Sequence, residues 1–351
     1  MTGRHGLACI LPPVLLEQVA RAGDEAQRGR ALDTLLTDTS LRAARLQSVG
    51  RLRAQALRPA LVTDDERPQR SIYTANGAET LPGELVRAEG QAPTGDPAVD
   101  EAYDGLGDTH RFYRDAYARS SIDDEGLPLQ ATVHFGRAYD NAFWDGAQMV
   151  FGDGDGDLFT RFTVAVDVIG HELTHGVVDD ELGLYYTGQS GALNESLSDV
   201  FGSLIKQFRL RQSADEADWL IGAGLFTNRV QGAALRSMAA PGTAFDDPVL
   251  GKDPQPAHLD DFVHTTKDNG GVHINSGIPN RAFHLAATAM GGFAWERAGR
   301  VWYDALRDAR LRPTTRFGTF ARATVRAAQH AFGPEETRAV TSAWEQVGVL
   351  P

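Results

Sequence analysis

Residues 171–175 read His171-Glu172-Leu173-Thr174-His175, and the stretch 194–199 reads Asn194-Glu195-Ser196-Leu197-Ser198-Asp199. Residues four apart in a helix project from one face, so His171 and His175 can aim a ring nitrogen at the same ion. Glu172 lies about 100° around the helix from His171. At this angle it does not bind the ion, but it can lie next to a water molecule that the ion binds. Two histidines and one carboxylate, supplied by Glu195, leave one coordination position open, which is typical of a catalytic zinc site.

Both motifs fall in stretches with helical character. The stretch 163–169 is apolar and contains neither glycine nor proline, and apolar residues recur at helical spacing over 192–210. Carboxylates on a helix usually face solvent, but Glu195 and Asp199 follow two histidines that lack a third ligand. We therefore predict that Glu195 binds the ion and that Asp199 and Asn194 hold the imidazoles by their other ring nitrogens.

Composition limits the classes to which the protein can belong. The chain has 351 residues, 42% of them hydrophobic and 23% charged, which is typical of a globular protein with room for two domains. No apolar run approaches the ~18 residues that a membrane-spanning helix needs. The single cysteine excludes an intrachain disulfide, so the sequence does not imply an oxidising compartment.

The net charge of −13 is distributed unevenly along the chain. Residues 1–70 carry 11 Arg and 8 acidic residues, a net of +3, and the remaining residues carry a net of −16. An acidic body argues against binding of nucleic acid or of an anionic membrane, so neither is expected as a partner. The distribution fits a basic segment docked on an acidic body.

Residues 1–70 differ in pattern from the rest of the chain. They are rich in Arg, Leu and Ala, and they lack a catalytic motif. Short helices are expected at 14–22 and 28–46. The polar stretch 64–70 is expected to be an exposed linker and processing site.

The remaining chain predicts an α+β fold. Strand-like stretches separated by Gly, Pro and Asp turns, with one helix at 97–120, indicate a β-rich amino-terminal lobe over residues 71–170. A predominantly helical pattern indicates a carboxy-terminal lobe over residues 171–351. The zinc helix is expected at the bottom of the cleft between the lobes, where an extended peptide could add to a strand edge.

Further motifs surround the zinc motifs. In chain order they are Asn141-Ala-Phe-Trp-Asp-Gly146, Gly152-Asp-Gly-Asp-Gly156, Leu235-Arg-Ser-Met238 and Asp268-Asn-Gly-Gly-Val-His273-Ile-Asn-Ser-Gly277. With these motifs in this order, about residues 72–350 resemble the thermolysin family of metallopeptidases. The start of the chain, Cys9-Ile-Leu-Pro-Pro13, together with Ile72-Tyr73 and Leu81-Pro82-Gly83, resembles the protealysin subgroup, whose members carry a short pro-segment.

The resemblance implies a role for each candidate residue. His171, His175 and Glu195 would bind one zinc ion, and Glu172 would activate the zinc-bound water and pass its proton to the leaving amine. Outside the zinc motifs, His273 and Tyr186 would stabilise the oxyanion, and Asp268 would orient His273. Arg236 would contact a carbonyl of the substrate. Asn141 and the carbonyl of Ala142 would bind the backbone of the peptide. An isolated loop histidine is more often satisfied by backbone, but the Gly-Gly approach and Asp268 favour function for His273.

The implied activity is that of a zinc-dependent neutral endopeptidase, made as a proenzyme and acting on peptides and proteins. Its pro-segment would be an intramolecular inhibitor. Several apolar residues match positions that line the family's primary pocket, which suggests cleavage on the amino side of bulky apolar residues; core packing is the alternative for each of them. They are Phe159, Phe162, Val168, Ile221, Leu225 and Leu235.

Two other functions remain open at this point. A zinc aminopeptidase shares the ligand geometry but needs acidic residues for the free amine, and none forms a motif close to the active-site stretch. A zinc-bearing interaction protein without catalysis is disfavoured because Glu172, Tyr186 and His273 are all present.

Calcium is doubtful as a second cofactor. Gly152–Asp157 departs from the EF-hand pattern and is interpreted as a tight turn. At the family's calcium site beside the zinc helix, Asp167 and Asp218 persist, but Lys206 occupies a position where calcium-binding members carry an acid. We expect Lys206 to pair with Asp167 and to replace the charge of the ion.

Cys9 and the cellular location are the remaining questions. A thiolate is a good zinc ligand, so Cys9 could cap the open zinc position in the precursor, or it could be a small apolar residue packed by the prolines. The apolar patch 7–16 is broken by Pro12-Pro13 and makes a poor secretory signal. Because members of the family are commonly exported, we expect secretion by a route without a recognisable signal peptide, with the cytoplasm as the alternative.

Overall fold

An amino-terminal segment of two helices packs on a body made of a sheet and further helices. In the computed structural model, residues 8–55 and 67–351 are described, with side chains for 9–43 and 67–351. The α-helices are, in chain order, α1 (Pro13–Ala22), α2 (Glu25–Gln55), α3 (Pro97–Tyr117), α4 (Val166–Glu181), α5 (Gly188–Leu210), α6 (Asp268–Asn275), α7 (Gly277–Met290), α8 (Ala298–Leu306), α9 (Phe317–Ala331) and α10 (Pro334–Gln346). Of these described helices, none is long and apolar enough to cross a lipid bilayer.

A six-stranded mixed sheet forms the first half of the body. The described part of the chain contains ten strands in all, which are, in chain order, β1 (Ala8–Cys9), β2 (Arg70–Thr74), β3 (Glu84–Ala88), β4 (Leu129–Val133), β5 (Ala142–Trp144), β6 (Met149–Phe151), β7 (Leu220–Ile221), β8 (Arg236–Ser237), β9 (Asp246–Asp247) and β10 (Gly251–Lys252). The large sheet has the order β1-β5-β6-β4-β2-β3, and the last four strands form two small hairpin-like pairs. Strand β1 lies at the edge and pairs antiparallel with β5, so the amino-terminal segment completes a sheet that belongs to the body.

Helices α4 and α5 lie close together at the centre of the molecule. Their approach depends on Gly202, where a Cβ atom would lie 2.4 Å from the backbone oxygen of Asp167. Gly170 faces the same contact, since its Cβ would lie 3.3 Å from the Cα of Gly202. Any larger side chain would separate the two helices, and with them the residues that they present to each other.

The amino-terminal segment docks through apolar and ionic contacts. Leu16 and Val19 of α1 belong to the main hydrophobic core. Arg30 of α2 pairs with Asp155 at 3.1 Å and with Asp157 at 2.8 Å. The expected contact of a basic segment with an acidic body is therefore present.

The α+β class is confirmed, with a sheet-containing amino-terminal half and a helical carboxy-terminal half. Several details differ from expectation. Helix α4 runs across residue 170, so the expected border between the lobes falls inside a helix, and Arg70 already belongs to β2. Helix α2 has 31 residues and is much longer than expected. Residues 64–66 of the expected linker lie outside the described residues.

The stretch between α5 and α6 also departs from the expected helical pattern. It contains β7 to β10 and one short 3-10 helix at Leu259–Asp261, but no α-helix. Glycines with positive φ at positions 222, 224, 242 and 251 give this stretch its turns. The periodicity that predicts helices on either side of it does not continue through such residues.

Candidate active site

Three side chains from α4 and α5 converge on one point. The Nε2 atoms of His171 and His175 lie 3.1 Å apart. Glu195 places Oε2 3.5 Å from Nε2 of His171 and Oε1 3.5 Å from Nε2 of His175. Among the described residues, these three form the one His, Cys, Asp or Glu cluster whose ligand atoms could hold a metal ion.

The outer nitrogens of both imidazoles are held by neighbours on α5. Nδ1 of His171 lies 2.8 Å from Oδ1 of Asp199, and Nδ1 of His175 donates to Oδ1 of Asn194 at 2.7 Å. A ring that donates from Nδ1 leaves the lone pair of Nε2 free for a metal. Asp199 and Asn194 thus take the positions expected for them.

The cluster fits a zinc ion in its donor chemistry. Oε2 of Glu195 is buried without a hydrogen-bond partner, although burial of a carboxylate oxygen without one is costly. It lies 3.5 Å from Nε2 of His171, whose ring Asp199 holds at Nδ1. Two imidazoles and a carboxylate are the ligand set of catalytic zinc sites.

Glu172 lies on the same helix and borders the cluster without joining it. Its Oε2 accepts a hydrogen bond from the backbone N–H of Trp144 at 3.1 Å, and its Oε1 is buried without a partner. Burial raises the pKa of Glu172 to about 8, because a carboxylate is disfavoured away from water. A carboxyl group with a raised pKa and one free oxygen is suited to take and return a proton.

His273 lies next to the cluster, with Nε2 3.4 Å from Oε2 of Glu195. Its Nδ1 lies 2.6 Å from Oδ1 of Asp268, and its backbone N–H donates to Oδ2 of the same residue at 2.8 Å. Burial alone would lower the pKa of His273, but the nearby carboxylates of Asp268 and Glu195 raise it, which favours a proton on Nε2. The residues from Asp268 to Gly271 all have positive φ, and this turn brings the carboxylate back onto the ring.

Tyr186 contacts both His273 and the metal cluster. Its hydroxyl lies 3.3 Å from Nε2 of His273 and donates to Oε1 of Glu195. His273 and Tyr186 thus present two donors on one side of the cluster. The structure brings together all the residues that the sequence singles out for this side of the site.

Groups that can bind a peptide backbone lie beside the cluster, and the amino-terminal segment forms hydrogen bonds with them. The carbonyl of Ala142 accepts from the N–H of Ile10 at 3.1 Å, and Oδ1 of Asn141 accepts from the N–H of Leu11 at 3.1 Å. Nη1 of Arg236 donates to the carbonyl of Ile10 at 3.1 Å. A peptide strand therefore lies along the predicted substrate-binding groups.

Arg236 is also tied to the metal ligands through Asp199. Its Nε and Nη2 donate to the two oxygens of Asp199, each at 2.8 Å. Burial would raise the pKa of Asp199, but Arg236 and His171 lower it to about 2. The residue that holds the Ile10 carbonyl and the residue that holds the His171 ring therefore form one buried ion pair.

Some residues of the site are not evident from the sequence. Asn280 donates from Nδ2 to Oδ2 of Asp199 at 2.8 Å, and Ser198 lies 3.1 Å from Nδ1 of His175 through Oγ. Asp38 of α2 accepts from Asn141 Nδ2 at 2.9 Å and from the Tyr139 hydroxyl at 2.5 Å. Ser198 stands inside the quoted acidic motif, whereas Asp38 and Asn280 carry no local sequence signal.

Cys9 packs in the site region as an apolar residue. Its side chain belongs to a small cluster with Phe135, Tyr139, Phe143 and other buried residues. Burial raises the pKa of its thiol well above the usual range, which opposes the thiolate that zinc binding requires. The Cys9 side chain is not part of the metal cluster, so the structure favours packing over capping.

The expected pairing of Lys206 with Asp167 is present beside α4. Nζ of Lys206 lies 2.8 Å from Oδ2 of Asp167, 2.8 Å from Oδ1 of Asp218 and 2.6 Å from the carbonyl oxygen of Leu220. A cation already sits among these oxygens. The Gly152–Asp157 stretch forms the expected tight turn, in which Oδ1 of Asp155 accepts three backbone N–H groups.

Family models match two adjoining parts of the chain. Residues 59–179 match the catalytic domain of thermolysin metallopeptidase, and residues 182–349 match its alpha-helical domain. The border between the matches follows α4, whereas the sequence pattern placed it at residue 170.

Similar proteins cover nearly the whole chain. An extracellular metalloprotease of Pectobacterium carotovorum subsp. carotovorum is 51% identical over 354 residues, covering 98% of this chain and 96% of that protein. Protease PrtS of Photorhabdus sp. (strain Az29) is 47% identical over 346 residues, covering 97% and 91%. The solved precursor of protealysin, a metalloproteinase from Serratia proteamaculans, superposes with a TM-score of 0.89 at 53% identity, covering 97% of this chain and 99% of that one.

Proposed function

The chain belongs to the thermolysin family of metallopeptidases, and from this premise we propose a role for each residue of its site. It is a zinc-dependent neutral endopeptidase made as a proenzyme. We propose that His171, His175 and Glu195 hold one zinc ion per chain and that Glu172 is the base. The observation that carries the proposal is the unpartnered Oε1 of Glu172 beside three convergent ligands.

The ion supplies Lewis acidity when bound, polarising the scissile carbonyl and lowering the pKa of water. Glu172 accepts the proton of the attacking water on Oε1 and delivers it to the leaving amine. Nε2 of His273 and the hydroxyl of Tyr186 donate to the oxygen on which negative charge develops. Asp268 holds His273 in position for this contact.

Substrate peptides bind as an added strand on β5. The Ala142 carbonyl, the Asn141 side chain and Arg236 engage backbone groups, so that binding itself does not depend on sequence. Selection then falls to side-chain pockets, and we propose cleavage on the amino side of bulky apolar residues. Leu235, which lines a cavity together with Arg236 and His273, supports an apolar pocket.

We propose that the amino-terminal segment, taken as residues 1–70, is the pro-segment and an intramolecular inhibitor. Support comes from residues 9–11, whose backbone occupies the groups that would hold a substrate. The proposed lobes, residues 71–170 and 171–351, then form the mature enzyme. As relatives are named extracellular, we propose secretion by a route other than a recognisable signal peptide.

Hydrolysis of an amino-terminally blocked peptide by the matured enzyme tests the function. Removal of metal with a chelator should abolish the activity, and zinc should restore it. Glu172→Gln should lower kcat by at least ~10²–10⁴-fold, since general-base catalysis contributes that much, whereas the exposed Glu335→Gln should not. An aminopeptidase would spare the blocked peptide, and a catalytically silent protein would cleave no peptide at all.

A further inference from the structure

Residues 9–11 engage the groups that are proposed to bind a substrate. The backbone of Ile10 is held on both sides, by the Ala142 carbonyl at its N–H and by Arg236 at its carbonyl, each at 3.1 Å. The N–H of Leu11 is held by Asn141. The pairing of Cys9 with Phe143 is antiparallel, so the strand adds to β5 as an extended peptide.

The carbonyl that contacts the oxyanion donor identifies the peptide bond that is placed for hydrolysis. Nε2 of His273 lies 2.9 Å from the carbonyl oxygen of Cys9. In a peptidase, the carbonyl that receives the oxyanion donor is the one attacked, and the bond that follows it is the one broken. Here that bond joins Cys9 to Ile10.

We infer that the chain hydrolyses its own Cys9–Ile10 peptide bond within the precursor. The inference rests on the proposed function, because it assigns a substrate to the same site. Water adds its oxygen to the Cys9 carbonyl carbon while Glu172 accepts its proton. The bond to the Ile10 nitrogen then breaks. That nitrogen takes the proton from Glu172 and the second proton of the water from the new carboxyl group, leaving a Cys9 carboxylate and an Ile10 ammonium.

A cavity lies beside the residues that hold the strand. It has a volume of about 320 Å³, lies between α1 and the body, and is bordered by Leu15, Arg236, Phe245 and His273 among others. Water occupies about 30 Å³ per molecule in the liquid, so the cavity has room for several molecules. Arg236 and His273, which hold the Ile10 and Cys9 carbonyls, therefore border a space large enough to admit water.

The piece that begins at Ile10 has its own contacts with the body. It is anchored through Leu16 and Val19 in the core and through Arg30 on Asp155 and Asp157. The piece that ends at Cys9 pairs with β5 at Ala8 and Cys9. The cut thus leaves α1 and α2 docked on the body.

The occupied cleft also separates this cut from removal of the whole segment. A site filled by residues 9–11 of its own chain is closed to residues near position 70 of the same chain. Cleavage at Cys9–Ile10 is therefore intramolecular, with a rate per molecule that does not depend on concentration. Release of the entire segment requires a second, already opened molecule and accelerates with concentration.

Zinc added to metal-free precursor, followed by intact mass spectrometry over a wide range of concentrations, tests the inference. Isotope-labelled Glu172→Gln precursor is mixed in as an internal control. In chains that are not yet cut near residue 70, we expect fragments that end at Cys9 and fragments that begin at Ile10. The rate constant of their formation should be the same at every protein concentration. The labelled Glu172→Gln chains should keep the Cys9–Ile10 bond.

A second measurement separates this inference from the proposed function. The same preparation, once matured, is assayed on the blocked peptide. If it hydrolyses that peptide but the Cys9–Ile10 bond stays intact, or breaks equally in the labelled chains, the inference is overturned and the function stands. If zinc restores no hydrolysis of the blocked peptide, the proposed function fails and the inference fails with it.

Discussion

Nδ2 of Asn141 donates to the buried carboxylate of Asp38 at 2.9 Å, so a helix of the pro-segment holds a residue that also grips the peptide in the cleft. Oδ1 of the same amide accepts from the N–H of Leu11. One asparagine therefore links α2 with the strand in the site. The pro-segment both fills the site and fixes the side chain against which it lies.

Asp38→Ala should destabilise the precursor and leave the mature enzyme unchanged. Removing the carboxylate leaves the Tyr139 hydroxyl and Asn141 Nδ2 buried without an acceptor, at a cost of about 1–3 kcal/mol each. Thermal unfolding of the precursor measures the loss, and Asp33→Ala, at an exposed position on the same helix, is the control. Equal melting temperatures for both variants would contradict the role given to Asp38.

Lys206→Met should destabilise both forms of the protein. The change leaves Asp167 buried with no cation, and breaking a buried pair costs about 3–5 kcal/mol. The exposed Lys252→Met serves as the control. Unfolding in denaturant gives the free energy of unfolding, which should fall for Lys206→Met alone.

Lys206→Glu should create a calcium site beside α4. The substitution replaces the ammonium group with a carboxylate beside Asp167 and Asp218, which is the ligand type that calcium prefers. Isothermal titration should detect calcium binding to Lys206→Glu only. Binding to the parent protein that is lost in Asp167→Ala would refute the proposal that Lys206 replaces the ion.

Stability should depend on pH through His134. A hydrogen bond with Asp153, assisted by Asp96, raises the pKa of His134 to about 9 from 6.5. Because the folded value is raised, this contribution is complete below pH 6.5 and is lost as the pH rises through about 9. His134→Asn should therefore cost more stability at pH 6 than at pH 10.

Asparagine is the suitable replacement because His134 has a φ of 54°, which asparagine tolerates. The exposed His330→Asn is the control. Melting curves across the pH range give the difference between each variant and the parent protein. If the difference in melting temperature between His134→Asn and the parent protein stays constant with pH, the ion pair of His134 contributes nothing to stability.

Asn280→Ala should weaken zinc binding and catalysis together. Asp199 accepts four hydrogen bonds at 2.8 Å, and loss of the one from Asn280 frees it to move away from His171. Loss of such outer contacts typically costs about 10–100-fold in metal affinity or activity. Competition with a chelator and kcat/KM on a blocked peptide measure both, with the exposed Asn228→Ala as control.

The metal centre is the part of the site that could be predicted most completely from sequence. The four-residue spacing of His171 and His175 fixes their common face, and helical spacing sets Glu195 and Asp199 one turn apart. These relations are local, so they survive without knowledge of the tertiary structure. The strand edge at Ala142 rests instead on the resemblance to the thermolysin family.

Contacts between distant parts of the chain could not be predicted in this way. Asp38 is one acidic residue in a long helix, and only docking of α2 brings it to Asn141, 103 positions away. The N–H of Trp144 that holds Glu172 belongs to the backbone and carries no side-chain signal. Whether Cys9 packs as an apolar residue or binds a metal depends on where its strand lies in the fold. The composition of the chain does not determine that position.

The central claim is that one zinc ion, held by His171, His175 and Glu195, lies beside the free oxygen of Glu172. Zinc X-ray absorption spectroscopy on the purified protein, with metal content measured on the same sample, tests it most directly. We predict one zinc per chain, bound by two imidazole nitrogens and a carboxylate, with occupancy lost in Glu195→Ala. A protein without stoichiometric zinc, or a Glu195→Ala variant with an unchanged spectrum, would contradict the account.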